Sequence, residues 1–134
     1  MRSDVLTVRT GSFPTVHDLT DQCASFVGGE EDGLLSVFVP HATAGLAILE
    51  TGAGSDDDLL RLIDDVFPPD DRWRHRHGSP GHGRDHVLPA LVAPSVTVPV
   101  LQGQLQLGTW QSICLVDPNG DNPQRSVRLS FVAG

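Results

Sequence analysis

Four of the six histidines of this chain fall within residues 73–86, W-R-H-R-H-G-S-P-G-H-G-R-D-H: His75, His77, His82 and His86. Imidazole is the side chain that titrates near neutral pH and the commonest protein ligand of transition metals. His82 and His86 stand four apart. On one helical turn two rings at that spacing face the same way and can share one ion. His75 or His41 can complete such a site and leave a coordination position open. The same rings can instead move protons, with a carboxylate to orient one of them. Glu50 is the candidate, because it ends an apolar run where a carboxylate needs a partner; its bland alternative is a cap or a pairing with an arginine. A third chemistry is anion binding. Arg72, Arg74, Arg76 and Arg84 surround the histidines, Arg125 lies near the C-terminus, and the backbone N–H groups near Gly108 and Thr109 are further donors. Trp110 is either ordinary core or a flat wall against a ring.

The elements that must position these groups are short. Glycines and a proline make the histidine segment a loop. Residues 4–10 alternate as a strand. Val16, Leu19, Cys23, Phe26 and Val27 fall at helical spacing within residues 15–27, a segment that Gly28 and Gly29 end; His17 faces away from that stripe, toward solvent. Residues 34–39 read as a central strand. Pro40 and His41 close it, so that His41 and Glu50 flank a tight segment in which Gly45 permits close backbone approach. Asp56, Asp57 and Asp58 lead into a helix through residue 67, serving as cap and solvated face; their spacing does not match a calcium loop. Residues 87–93 form a short helix interrupted by Pro89. Residues 95–101 read as a strand with Pro99 at an edge or bulge, 104–117 as one long strand with a central glycine, 118–123 as a turn and 126–132 as a last strand. The sum is an α+β fold: a compact antiparallel or mixed β-sheet core with two or three helices, in a single domain over residues 1–134.

Composition narrows the function classes. The chain has 134 residues, 39% hydrophobic, with nine Lys+Arg against 17 Asp+Glu and a net charge of −8. That balance speaks against nucleic acid as a partner, because a basic stripe is what displaces counterions from phosphates. No apolar run approaches the ~20 residues that cross a bilayer, and the N-terminus lacks the apolar core of a signal peptide, so a cytoplasmic location is expected. All nine basic residues are arginines, which excludes Schiff-base and P-loop lysine chemistry. Cys23 and Cys114 are far apart and each in an apolar context, the pattern of two buried, reduced thiols.

These residues fall into a pattern that resembles the YjbQ-like proteins, a family named for a secondary thiamine-phosphate synthase activity. His41-Ala42-Thr43-Ala44, with Glu50 nine residues after the histidine, matches the family's H-x-[ST]-A and glutamate. Trp73, His75 and His86 match its aromatic-x-His pair and later histidine. Ser95, Pro99, Val100, Gly103, Gly108-Thr109-Trp110-Gln111 and Arg125 match the C-terminal half. The chain departs from the pattern at Leu88, Ala93 and Ser126, where cationic residues or a glycine are common, and at His82, where Asp or Asn is common.

The resemblance implies an α+β homotrimer with sites between subunits. It also implies joining of hydroxymethylpyrimidine pyrophosphate to thiazole phosphate with loss of pyrophosphate. His41, His75 and His86 then line one catalytic pocket with Glu50. Thr43, Thr109, Trp110, Gln111 and Arg125 bind a small phosphorylated substrate. Apart from the resemblance, the histidine spacing offers His75, His82 and His86 as ligands of a divalent ion, zinc or magnesium. The alternatives are a metal-dependent hydrolase of a small phosphorylated or acylated compound, and a non-catalytic trimer that binds a metal or an anion.

Overall fold

The computed structural model describes residues 1–118 and 120–134. Asn119, within the turn expected at 118–123, lies outside the described residues. Among the described residues eight strands form two sheets, and every pairing between them is antiparallel. The first sheet runs β1 (Arg2–Arg9), β8 (Gln124–Ala133), β3 (Gly33–Phe38), β5 (Ser95–Leu101), β6 (Gln104–Leu105) in spatial order. The second runs β2 (Thr15–Asp18), β7 (Ser112–Asp117), β4 (Gly45–Leu49). Two α-helices, α1 (Thr20–Val27) and α2 (Ser55–Val66), and two 3₁₀ turns, His82–His86 and Leu88–Ala90, complete the fold. It is α+β, as the patterning predicts, and the choice between antiparallel and mixed sheets resolves to antiparallel.

The period-2 alternation sorts side chains between core and solvent. On β8, Arg125, Val127, Leu129 and Phe131 are buried while Gln124 and Arg128 are exposed. The inward residues of β3, β5 and β8 meet Leu46, Ile113 and Leu115 of the second sheet, and Leu19, Cys23, Phe26 and Val27 of the α1 segment, in one apolar cluster. β7 is the middle strand of its sheet and is covered on both faces. Its residues 113–117 are wholly buried, so I-C-L-V reads as a continuous apolar run rather than an alternation. Val116 packs behind the sheet with Ile63 of α2 and with Leu88. A Cβ at Gly45 would come within 2.1 Å of Val92 O, the close approach expected there. Asp56, Asp57 and Asp58 do occupy the first turn of α2.

Two expectations are corrected. Residues 15–18 are not helical: they form β2, which pairs with β7 from Thr15↔Asp117 to Asp18↔Cys114. An open edge of β7 offers four residues of hydrogen-bonding partners, and tertiary pairing outweighs local periodicity. His17 is consequently half-buried on a strand rather than solvated on a helix. The second correction concerns residues 104–117, which are not one strand. The Gln111 N–H donates to Gly108 O at 3.0 Å, and the Gly108 N–H donates to Gln111 Oε1 at 2.8 Å. This closed turn carries the chain from the first sheet to the second.

Candidate metal centre

The histidine loop is pinned to the C-terminal end of α2. Pro68 stops the helix, and Trp73 Nε1 donates to Pro68 O at 2.8 Å. Arg84, only 5% exposed, reaches back with Nη1 to Asp64 Oδ1 at 2.5 Å and to Phe67 O at 3.1 Å, while its Nε donates to Asp85 Oδ1 at 2.9 Å. A cation at the carbonyl end of a helix also meets the negative end of its dipole. The 3₁₀ turn His82–His86 then lies directly on the backbone of residues 73–75. A Cβ at Gly83 would be 2.4 Å from His75 O and 2.5 Å from Trp73 Cβ. Only glycine allows that contact, and the contact brings His75 to the other two rings.

The result is a cluster of three imidazoles. Ring centroids are 3.8 Å apart for His75 and His86, 4.7 Å for His82 and His86, and 5.5 Å for His75 and His82. The Nε2 atoms of His82 and His86 are 2.8 Å apart. One donor nitrogen from each of the three lies within 4.8 Å of the others. His75 Nε2 is buried with no hydrogen-bond partner, an arrangement that costs free energy unless something fills it. Desolvation, then neighbouring imidazoles, holds His75 and His86 below the ordinary histidine value, so both rings are neutral and carry lone pairs at pH 7. Three imidazole nitrogens fit a borderline ion such as zinc. They do not fit magnesium, which takes oxygen ligands. Trp73, His75, Arg76, Ser79, Gly81 and His82 line a cleft of about 270 Å³ beside the cluster.

His41 and Arg125 form a separate group. The Arg125 guanidinium is 1% exposed and Asp117 is 0% exposed. Arg125 Nε and Nη2 donate to the two oxygens of Asp117 at 2.7 and 2.9 Å, and Nη2 donates to Thr43 Oγ1 at 2.9 Å. Arg125 and Thr43, expected to bind substrate, are thus engaged with buried partners. His41 Nε2 accepts the Ser126 N–H at 2.9 Å. Burial, then the Arg125 charge, lowers the His41 pKa. The unfolded ring takes its proton near pH 6.5, the folded ring only at lower pH. Between the two the unfolded state binds more protons, so stability present above pH 6.5 is lost as pH falls through the folded value. Chemical denaturation of the chelator-treated protein from pH 8 to pH 5 is expected to show a smaller loss of stability in His41→Gln than in the wild type.

The remaining expected site residues lie elsewhere. His41 precedes β4 and Glu50 follows it, so the two are separated by the strand's length, about 16 Å at ~3.3 Å per residue. Glu50 is next to Thr51, whose hydroxyl bonds Asp18 at 3.5 Å. Thr109, Trp110 and Gln111 sit at that same end of the second sheet, all exposed, Trp110 by 72%. Trp110 is therefore not core within one chain. Among the loop arginines, Arg84 is buried in ion pairs, Arg72 pairs with Asp70 at 2.8 Å, and Arg76 donates to the carbonyls of Trp73 and Asp71. Their charge is largely spent on holding the loop. Sequence reading missed Asp85, Asp117 and Asp121. Asp117 ends an apolar run just as Glu50 does, so the signal that singled out Glu50 was present at Asp117 as well.

Fold and cluster together define an α+β protein with a three-imidazole candidate metal centre. The family described as "UPF0047 protein YjbQ-like" matches residues 4–134, and the chain belongs to that family. It is 64% identical over the full length of both chains to a UPF0047 protein of Mycobacterium tuberculosis. It is 33% identical to one of Archaeoglobus fulgidus, over 91% of this chain and 95% of that protein. A solved structure of a hypothetical protein from Aeropyrum pernix superposes with a TM-score of 0.88 at 31% identity, covering all of both chains. A YbjQ-like protein of unknown function from Sulfolobus solfataricus superposes at 0.91 and 27% identity, over 99% and 97% of the chains.

Proposed function

We propose that the chain is a metal-dependent hydrolase of a small phosphorylated or acylated compound. The observation that carries this reading is the His75–His82–His86 cluster, with a buried, unpartnered His75 Nε2. A zinc-like ion supplies Lewis-acid chemistry: it polarises a phosphoryl or carbonyl oxygen and makes water a nucleophile near neutral pH. The three histidines would hold the ion, and His75 and His82 also line the adjoining cleft. There Trp73 offers a flat wall. The net charge of −8 fits a small substrate rather than nucleic acid. Among the described residues no helix is long and apolar enough to cross a membrane, and two buried free thiols fit a reducing, cytoplasmic setting.

A homotrimer belongs to this reading. Glu50, Thr109, Trp110 and Gln111 lie at the opposite end of the second sheet from Arg125 and Thr43, and Trp110 is largely uncovered. A neighbouring copy would cover Trp110 and bring that end to a second chain's cluster. Sedimentation equilibrium should give three chains per particle, and Trp110→Asp should shift the population to monomer.

The synthase reading remains second, supported by the residues shared with the YjbQ-like pattern and by the cleft of about 270 Å³ beside the cluster. One experiment separates them. The zinc-loaded protein is assayed on chromogenic phosphate and acyl esters, and the magnesium-supplemented protein on hydroxymethylpyrimidine pyrophosphate with thiazole phosphate. Ester hydrolysis that EDTA and His75→Ala both abolish supports the hydrolase. Thiamine phosphate formation without ester hydrolysis overturns it in favour of the synthase. Zinc binding with no turnover on any of these would make the chain a binding protein.

A further inference from the structure

Two nitrogens of His82 face different surroundings. Nε2 points into the cluster, 2.8 Å from His86 Nε2. Nδ1 is buried on the opposite side of the ring, without an in-line hydrogen bond, 3.2 Å from Asp121 Oδ2 and 3.6 Å from Asp85 Oδ2. The two carboxylates are not equivalent. Asp85 directs Oδ1 to the Arg84 guanidinium at 2.9 Å and belongs to the clamp on α2. Asp121 comes from the β7–β8 connection, far away in sequence. Its Oδ2 also accepts the Ser79 N–H at 3.1 Å, fixing the backbone of the histidine loop. The loop wraps this pair closely: a Cβ at Gly78 would be 3.0 Å from His82 Cδ2 and 3.1 Å from Asp121 Oδ2.

We propose that Asp121 is the positioning residue of the centre, keeping the hydrogen of His82 on Nδ1 so that the Nε2 lone pair is presented to the ion. This rests on the metal reading above. A neutral imidazole has one N–H and one lone pair, and the partner of the first decides where the second points. A carboxylate behind a ligating histidine also fixes the ring's rotation and raises its basicity. Asp121 is placed to do both through one oxygen: the Ser79 N–H fixes Oδ2, and Oδ2 stands 3.2 Å from His82 Nδ1.

The test uses Asp121→Asn and Asp121→Glu in the full chain. Zinc affinity is measured by competition with a chromogenic chelator, and the His82 tautomer by long-range ¹H–¹⁵N spectra of the metal-free protein, assigned with His82→Gln. Asparagine retains an acceptor for Ser79, so Asp121→Asn should stay folded. It should lose zinc affinity by roughly 10- to 100-fold, the range for outer partners of ligating histidines, and should mix the two tautomers. Asp121→Glu should recover both at least in part. Wild-type affinity together with an unchanged tautomer in Asp121→Asn would overturn the proposal. If the wild type holds no zinc, the metal reading fails, and the tautomer alone then decides whether Asp121 orients the ring.

Discussion

Replacing His86 with alanine should abolish stoichiometric zinc binding and leave the protein folded. His86 is the ring nearest to both partners, 3.8 Å from His75 and 4.7 Å from His82 between centroids. Removing it leaves two nitrogens, fewer than the three that a catalytic zinc site uses. The affinity loss should exceed the ~100-fold that an outer partner costs. Thermal melts read the same effect. At free zinc 1,000 times above Kd, binding adds about 4 kcal/mol to the wild type, on the order of 10 °C or more for a domain of this size. His86→Ala should gain almost nothing from zinc. Without metal the variant should melt near the metal-free wild type, because His86 is half-buried and its removal opens a cleft rather than the core. Retention of tight zinc binding by His86→Ala would show that the cluster is not the site.

That cluster was partly legible in the sequence. The H-x-x-x-H spacing of His82 and His86 marked the pair. The segment is a 3₁₀ turn, in which i and i+4 do not share a face as on an α-helix, and the two rings still meet at 2.8 Å. His75 belongs to the cluster because of Gly83, whose contact with residues 73–75 no sequence pattern announces. The fold was legible where the alternation was strict, as on β8, or where an apolar run was bounded by clear stops, as on β3 and α2. It failed where pairing decided the outcome. Residues 15–18 read as helix until β7 recruits them. Residues 104–117 read as one strand because neither the side-chain bond from Gln111 to Gly108 nor the change of sheet leaves a mark on hydropathy. Asp117 was missed for a related reason. Glu50 and Asp117 both end apolar runs, and only the three-dimensional register shows that Arg125 meets Asp117.

That pairing sets the second large effect. Arg125→Met should destabilise the protein by about 3–5 kcal/mol, because it leaves the buried Asp117 carboxylate without its cation. Against a total stability of roughly 5–15 kcal/mol this is severe. In urea the midpoint should fall by about 2 M for a slope near 2 kcal/mol/M. Adding Asp117→Leu should recover part of the loss, since replacing both members of a buried pair with apolar groups costs far less than removing one. The comparison also decides the role of Arg125. A substrate-binding arginine would change KM and leave the midpoint in place. A structural arginine shifts the midpoint and leaves KM of the surviving folded fraction unchanged.

The central claim is that His75, His82 and His86 form one metal centre. The most direct test is elemental analysis of the purified wild-type protein after equilibration with zinc and removal of the excess, with His75→Ala and His86→Ala treated alongside. One zinc per chain in the wild type and none in either variant is the predicted result. A wild type without zinc, or variants that hold as much zinc as the wild type, would contradict it.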